Sequence, residues 1–337
     1  MAQINKPSDY FNTVTWTGNG SKITTALRPD LIWYKARDVS GYAGVVNAIS
    51  GDDYFAQTYS TDAETNYPGL LVSDSTGFTP GSIFTTNSYV AWNWLANGSG
   101  VSNTDGSIAS TVSASTTSGF SIVTYTGNGT GGATIGHGLG VAPACVIIKN
   151  RTSGTYDWLV YHKALGATKY MALNRTDAST TSAIGWNNTE PSSSFVTLGT
   201  ANAVNTNSSN YVAYCFAEKK GFSKFGSYVG NGNIDSPFIY TGFKPSFLLI
   251  KDASNITSWV ILDNKRSPFN SADDVLRANA DSAEAVDTAY ADTDFLSNGF
   301  KLRTTDAWFN TTGETYIYMA FAEQPLVGTN NVPATAR

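Results

Sequence analysis

Phe120-Ser121-Ile122-Val123-Thr124-Tyr125-Thr126-Gly127-Asn128-Gly129 reads as one β-strand running into a tight turn. Phe120 and Ile122 alternate with Ser121 and Val123, the pattern of a half-buried strand. Asn and Gly tolerate positive φ, so Thr-Gly-Asn-Gly marks where the chain reverses. The same phrase opens the chain as Phe11-Asn12-Thr13-Val14-Thr15-Trp16-Thr17-Gly18-Asn19-Gly20. It returns, shortened, as Phe225-Gly226-Ser227-Tyr228-Val229-Gly230-Asn231-Gly232. The final glycines lie 109 and 103 positions apart.

Three further blocks keep the same order. A proline leads an apolar run into a lysine at Pro29–Lys35, Pro143–Lys149 and Pro245–Lys251. Thr61-Asp62-Ala63, Thr176-Asp177-Ala178 and Ala280-Asp281-Ser282 form a weaker match, in which the aspartate is read as capping its own turn. Tyr-led strands beginning at Tyr89, Tyr211 and Tyr316 close each unit. Four blocks repeated three times in one order define homologous units. Units of about 105 residues, with short Val/Ile/Thr/aromatic strands between Gly/Asn/Ser clusters, predict an all-β fold of three tandem β-sandwich domains. The boundaries follow from composition: repeat 1 over 1–97, a Gly/Ser/Thr-rich linker over 98–118, repeat 2 over 119–219, repeat 3 over 220–325, and a C-terminal tail or arm over 326–337. Residues 272–291 alone have helical composition, yet they align with strand and loop in the other units.

The 337 residues carry 21 Lys+Arg, 26 Asp+Glu and 43 aromatic rings, and only 14% of residues are charged. Such aromatic content supports a large core and excludes disorder. A net charge of −5 without a basic run argues against nucleic acid. No apolar stretch reaches the roughly 20 residues of a membrane helix, and the first residues lack a signal-peptide core. Cys145 and Cys215 are too few for a disulfide framework and are read as buried thiols.

Chemical motifs are sparse. Gly127–Gly132 spells G-x-G-x-x-G, but Ala133-Thr134-Ile135-Gly136 cannot begin the helix that a pyrophosphate site needs. His137 and His162 are the only histidines, do not have zinc spacing, and are read as surface or structural. Asp52/Asp53, Asp62/Glu64, Asp273/Asp274 and Asp292/Asp294 are read as loop carboxylates rather than a glycosidase pair. No catalytic residue, metal site or cofactor is therefore assigned. Most tryptophans sit on strand patterns and belong to the core. Trp186 and Trp308, flanked by Asn or Asp, are the candidates for exposed rings that stack on glycan.

Lys6-Pro7-Ser8-Asp9-Tyr10-Phe11-Asn12, the Thr126–Gly129 turn, Gly136-His137-Gly138-Leu139-Gly140-Val141-Ala142-Pro143, Tyr211–Glu218 and Gly221–Gly226 together carry a family likeness. From Lys6 to the C-terminus the chain resembles structural proteins of marine tailed bacteriophages, described as tail-fibre-like or virion surface proteins. The resemblance implies a non-enzymatic virion component: a tail fibre or appendage, or a capsid decoration protein. It is assembled in the host cytoplasm and partnered by other virion proteins. It also implies a homo-oligomer, with a trimer favoured, and carries no catalytic residues. The absence of a coiled coil and of a long N-terminal anchor favours a compact appendage or decoration. The alternative function is adsorption to a host surface glycan, with a glycan depolymerase a distant third.

Overall fold

A computed structural model describes residues 3–286, 291–329 and 332–335. The chain is all-β, and every paired strand within its sheets is antiparallel. Each repeat builds one large sheet with its closing strand in the middle. In the first, Ser88–Trp94 lies between the opening strand Phe11–Thr17 and the proline–lysine strand Leu31–Ala36. In the second, Asn210–Phe216 lies between Phe120–Thr126 and Cys145–Asn150. In the third, Thr315–Pro325 lies between Ser223–Val229 and Phe243–Asp252. Three shorter strands continue each sheet beyond the proline–lysine strand. A small sheet of two or three strands faces it, as Ile23–Thr24 with Gly77–Pro80 and Leu71–Asp74 does in the first unit.

The large sheets are covered on both faces, which corrects the half-buried reading of Phe120–Thr126. Its Val123 and Tyr125 pack in a cluster confined to the second unit, with Ile135, Trp186 and Tyr211. The first and third units have clusters of their own around Phe78 and Phe300. Phe120 and Ile122 point the other way, into a core shared by all three units. There Phe11 stacks on Phe321 at 5.0 Å, Trp94 meets Phe247 at 5.9 Å, and Phe120 stacks on Phe216 at 4.8 Å. Ring pairs of this kind add to already large burial. The units thus close on one another around a common aromatic centre.

Two other expectations change. The stretch 98–118 is no linker: Val101–Asn103 and Ser110–Ser115 extend the second unit's large sheet beyond its opening strand. Small polar residues serve there because an outer strand keeps one side in water. Within 272–291 the described elements are strands, Asp274–Arg277 and Ala285–Val286, and residues 287–290 lie outside the described residues. The described part of the C-terminal extension folds back on itself, with the Ala334 amide donating to the Leu326 carbonyl at 2.8 Å.

The Gly-Asn-Gly turns coincide in detail. Asn19, Asn128 and Asn231 each accept the amide two residues on, at 2.9, 2.9 and 3.0 Å. Gly20, Gly129 and Gly232 all have φ between +63 and +73. A Cβ on Gly18, Gly127 or Gly230 would lie 1.7, 2.4 or 2.2 Å from a backbone carbonyl oxygen (Thr85, Thr206, Thr311). Alanine at any one of the three should lower stability by about 1–3 kcal/mol through overpacking. Denaturant midpoints check this, and unchanged midpoints for all three variants would contradict it.

Candidate functional site

The conspicuous polar geometry lies between the units. The repeated lysines are buried at the ends of their strands: Lys35, Lys149 and Lys251 expose 1% or less. Lys35 Nζ donates to the Ala280 carbonyl of the third unit at 2.5 Å. Lys149 Nζ donates to the Thr61 carbonyl of the first unit at 2.8 Å and to Tyr156 at 3.1 Å. Lys251 Nζ bonds the Asn255 carbonyl and Thr257 Oγ1, and Thr257 itself donates its amide to Thr176 of the second unit. Burial lowers each lysine to about 8, partly offset by carboxylates: Asp281 at Lys35, Asp62 at Lys149, and Asp252 ahead of Asp177 at Lys251. The repeated aspartates therefore act on the neighbouring unit's lysine, a role that the turn-capping reading missed.

Beside each lysine the chain continues the same seam. The Glu64, Ser179 and Glu284 amides donate to the carbonyls of Arg151, Ala253 and Arg37. Where the residue types allow it, the pairs are also ionic: Arg151–Glu64 at 2.5 Å and Arg37–Glu284 at 2.7 Å. Each unit thus grips the next in the same cyclic direction.

A second set of buried groups repeats this logic. Asn47, His162 and Asp263 occupy one register position, opposite Leu31, Cys145 and Phe247. Each accepts the amide two residues on, at 3.2, 3.2 and 3.0 Å. Each also reaches the next unit: Asn47 Nδ2 to Tyr214 Oη at 3.2 Å, His162 Nε2 to the Tyr318 carbonyl at 3.1 Å, and Asp263 Oδ2 from Trp92 Nε1 at 3.0 Å.

His162 is thus structural, held as the neutral Nε2–H tautomer, and burial pushes it down to about 4. His137 is likewise buried, with Nδ1 accepting the Leu139 amide and Nε2 meeting the Ser192 carbonyl. Because the folded pKa of His162 lies below that of a free histidine, the unfolded chain binds the extra proton. The stabilisation is present above about pH 6.5 and is lost as pH falls toward 4. Between about pH 6.5 and 5 the loss should be about 1.5 kcal/mol, and His162→Asn should flatten it. Urea midpoints across that range are the check, and an identical pH slope in the variant would refute it.

The remaining sequence candidates are spoken for. Trp186 is not exposed: it is 1% accessible and meets Tyr161 edge-on at 5.9 Å. The chain turns just after it, with Asn187 and Asn188 both at φ +51, and burial of the large ring outweighs its Asn-rich surroundings. Trp308 is half-buried, and the Arg277 guanidinium covers its ring at 4.3 Å. Gly127–Gly132 is a turn followed by the strand Thr134–Gly136. Cys145 and Cys215 are free buried thiols, and burial raises both, Cys215 to about 12. Asp52 and Asp53 accept the Ser73 and Gly69 amides, Asp274 holds Ser267 and Asp294 holds Arg303. Among the described residues no group of three His, Cys, Asp or Glu is placed to hold a metal.

Two surface features remain open. A groove of about 400 Å³ on the second unit is lined by Ser110, Thr111, Thr124, Thr126, Arg151 and Asn210. Its hydroxyl, amide and guanidinium groups suit a polar ligand. On the third unit's small sheet, Phe238 and Tyr240 both face water. Sequence reading missed this pair because Pro237-Phe238-Ile239-Tyr240 is uniformly apolar, so no alternation tells which side is buried.

A family model described as Domain of unknown function (DUF7483) matches residues 6–325. The chain belongs to that family. The match spans all three units. No curated protein and no solved structure matches the chain.

Proposed function

We propose that the chain is a non-enzymatic structural protein on the surface of a tailed-phage virion, as a tail appendage or capsid decoration, built in the host cytoplasm and bound to other virion proteins. The observation that supports this reading is where the polar chemistry goes. Lys35, Lys149, Asn47, His162 and Asp263 bond directly across to the next unit, and Lys251 holds Thr257, whose amide does so. Buried, hydrogen-bonded polar groups of this kind rigidify a fold. A particle component exposed to proteases and shear needs that property. Its test is direct: particles purified from an infected culture, then analysed by mass spectrometry and antibody labelling, should contain the protein at one fixed location. Its presence in the lysate but not in purified particles would exclude the reading.

The groove around Thr124, Thr126 and Asn210 favours a second reading, adsorption to a host surface glycan. Saturable binding of purified protein to host cells that competes with infection would support it, and binding to particles alone would count against it.

A further inference from the structure

We propose that the edge of the strand Phe238–Tyr240 is a self-association surface, joining two copies of this chain about a twofold axis. This inference does not depend on the virion reading. The strand is the outer member of its sheet, next to Gly299–Leu302 and then Thr293–Leu296. Phe238 is 43% exposed and Tyr240 58%, and Ile234 in the preceding loop is 64% exposed.

The other two units show what this position ordinarily carries. Ile239 pairs with Phe300 as Ile23 pairs with Phe78 and Ile135 with Val196. The next residue but one confirms the alignment: Thr241 Oγ1 donates to the Phe243 carbonyl as Thr25 Oγ1 does to Leu27, at 2.7 and 2.6 Å. In that register Phe238 and Tyr240 correspond to Lys22 and Thr24 in the first unit and to Thr134 and Gly136 in the second. A demand of the fold would be common to all three copies. Aromatic side chains at two outward positions of one unit therefore answer to something outside the chain.

The second unit shows how such an edge is satisfied. There the chain covers it with its own extended segment: the Ile108 amide donates to the Thr134 carbonyl at 2.9 Å, and Ile108 bridges Ile135. The third unit is entered through the short joint Glu218–Phe222, which leaves no length for a covering strand. The first unit protects its edge with Lys22, which ion-pairs with Asp74 at 2.6 Å. A charged edge resists pairing, whereas a bare apolar edge is a template for it. Pro237 does not block this one: the Leu302 carbonyl across the sheet takes the Ser236 hydroxyl at 2.5 Å, so the missing amide faces inward.

Charge admits a second copy as the occupant, and an open strand edge is a template for an identical one. Around the aromatic pair, Lys301 binds Asp235 at 2.5 Å and Arg303 binds Asp294 at 2.7 Å. The patch thus offers two cations and two anions side by side. Each cation already has its anion, so the patch carries no net charge and a second copy of it meets no net repulsion across a twofold axis, the arrangement of an isologous contact. Antiparallel pairing of the two edges joins the small sheets and sets the two aromatic pairs side by side across the joint, where cross-strand aromatic contacts stabilise a sheet.

The test is the mass of the full chain in sedimentation and light scattering across rising concentration. Wild type should pass from one chain to two. The double variant Phe238→Lys/Tyr240→Thr carries the residues the first unit uses at these positions, so it should fold with an unchanged circular dichroism spectrum and remain at one chain. Val72→Thr, which swaps a methyl for a hydroxyl on an equally exposed side chain of the first unit's small sheet, should dimerise like wild type. A wild type that stays at one chain throughout would overturn the proposal and leave the aromatic pair to a saccharide. Association unchanged in the double variant, or abolished equally by Val72→Thr, would overturn it as well.

Discussion

Replacing Arg266 by alanine should destabilise the chain by about 3–5 kcal/mol, because it strands charges that water cannot reach. The guanidinium is fully buried. Its Nε donates to Asp263 at 2.6 Å, Nη1 to Glu284 at 2.9 Å and to the Asp274 carbonyl at 2.8 Å, and Nη2 to the Ile261 carbonyl at 2.9 Å. The same group lies over the Trp92 ring, 5.8 Å from its centre. Asp263 in turn accepts Trp92 Nε1, and Glu284 binds Arg37, so the network ties the third unit to the first. Lysine in place of Arg266 should recover little, since one ammonium cannot supply the guanidinium's divergent donors. Arg266→Met combined with Asp263→Asn should cost less than Arg266→Met alone. The pair removes the stranded charge, and asparagine is what the first unit carries at the position of Asp263. Chemical denaturation measures all four variants. A loss below about 1 kcal/mol for Arg266→Ala would place it among ordinary surface substitutions and refute the account.

Raising the pH from about 7.5 to about 9 should stabilise the protein by about 2 kcal/mol net. The sign follows from three lysines whose folded pKa, about 8, lies below the 10.5 of a free lysine. In that window the unfolded chain keeps three protons that the folded chain has begun to release, so stability rises with pH. Cys145 and Cys215 oppose the trend, because burial holds them protonated while unfolded thiols start to ionise. Buried tyrosines such as Tyr34, Tyr214 and Tyr228 reverse it above about pH 10, where unfolded phenols ionise. Lys149→Met should remove about a third of the lysine contribution, whereas Cys145→Ala with Cys215→Ala should steepen the rise. Thermal midpoints across the range decide the matter. A stability that falls steadily from pH 7.5 to 9 would show that burial does not hold the lysines below their ordinary pKa.

Much of the fold was legible in short-range signals. The Gly-Asn-Gly turns were readable because Gly20, Gly129 and Gly232 need a positive φ that the sequence announces locally. The all-β class followed from strand composition and spacing for the same reason. The site residues were less legible. Trp186 has polar neighbours in sequence but Tyr161 as its neighbour in space. The Gly/Ser/Thr stretch 98–118 looks like a linker because small polar residues are common both to loops and to outer strands.

The sequence alone determined that this protein is a threefold repeat of aromatic-rich β units, since repetition, turn chemistry and strand propensity all act over a few residues. Only the tertiary structure decided that these units form one ring. It showed why each carries a lysine and an aspartate in step: Lys35 answers to Asp281, Lys149 to Asp62 and Lys251 to Asp177. Those aspartates lie in different units from their lysines, although Lys251 also has Asp252 beside it in its own unit. Exposure of Phe238 and Tyr240, likewise, is a property of which edge the rest of the chain leaves uncovered.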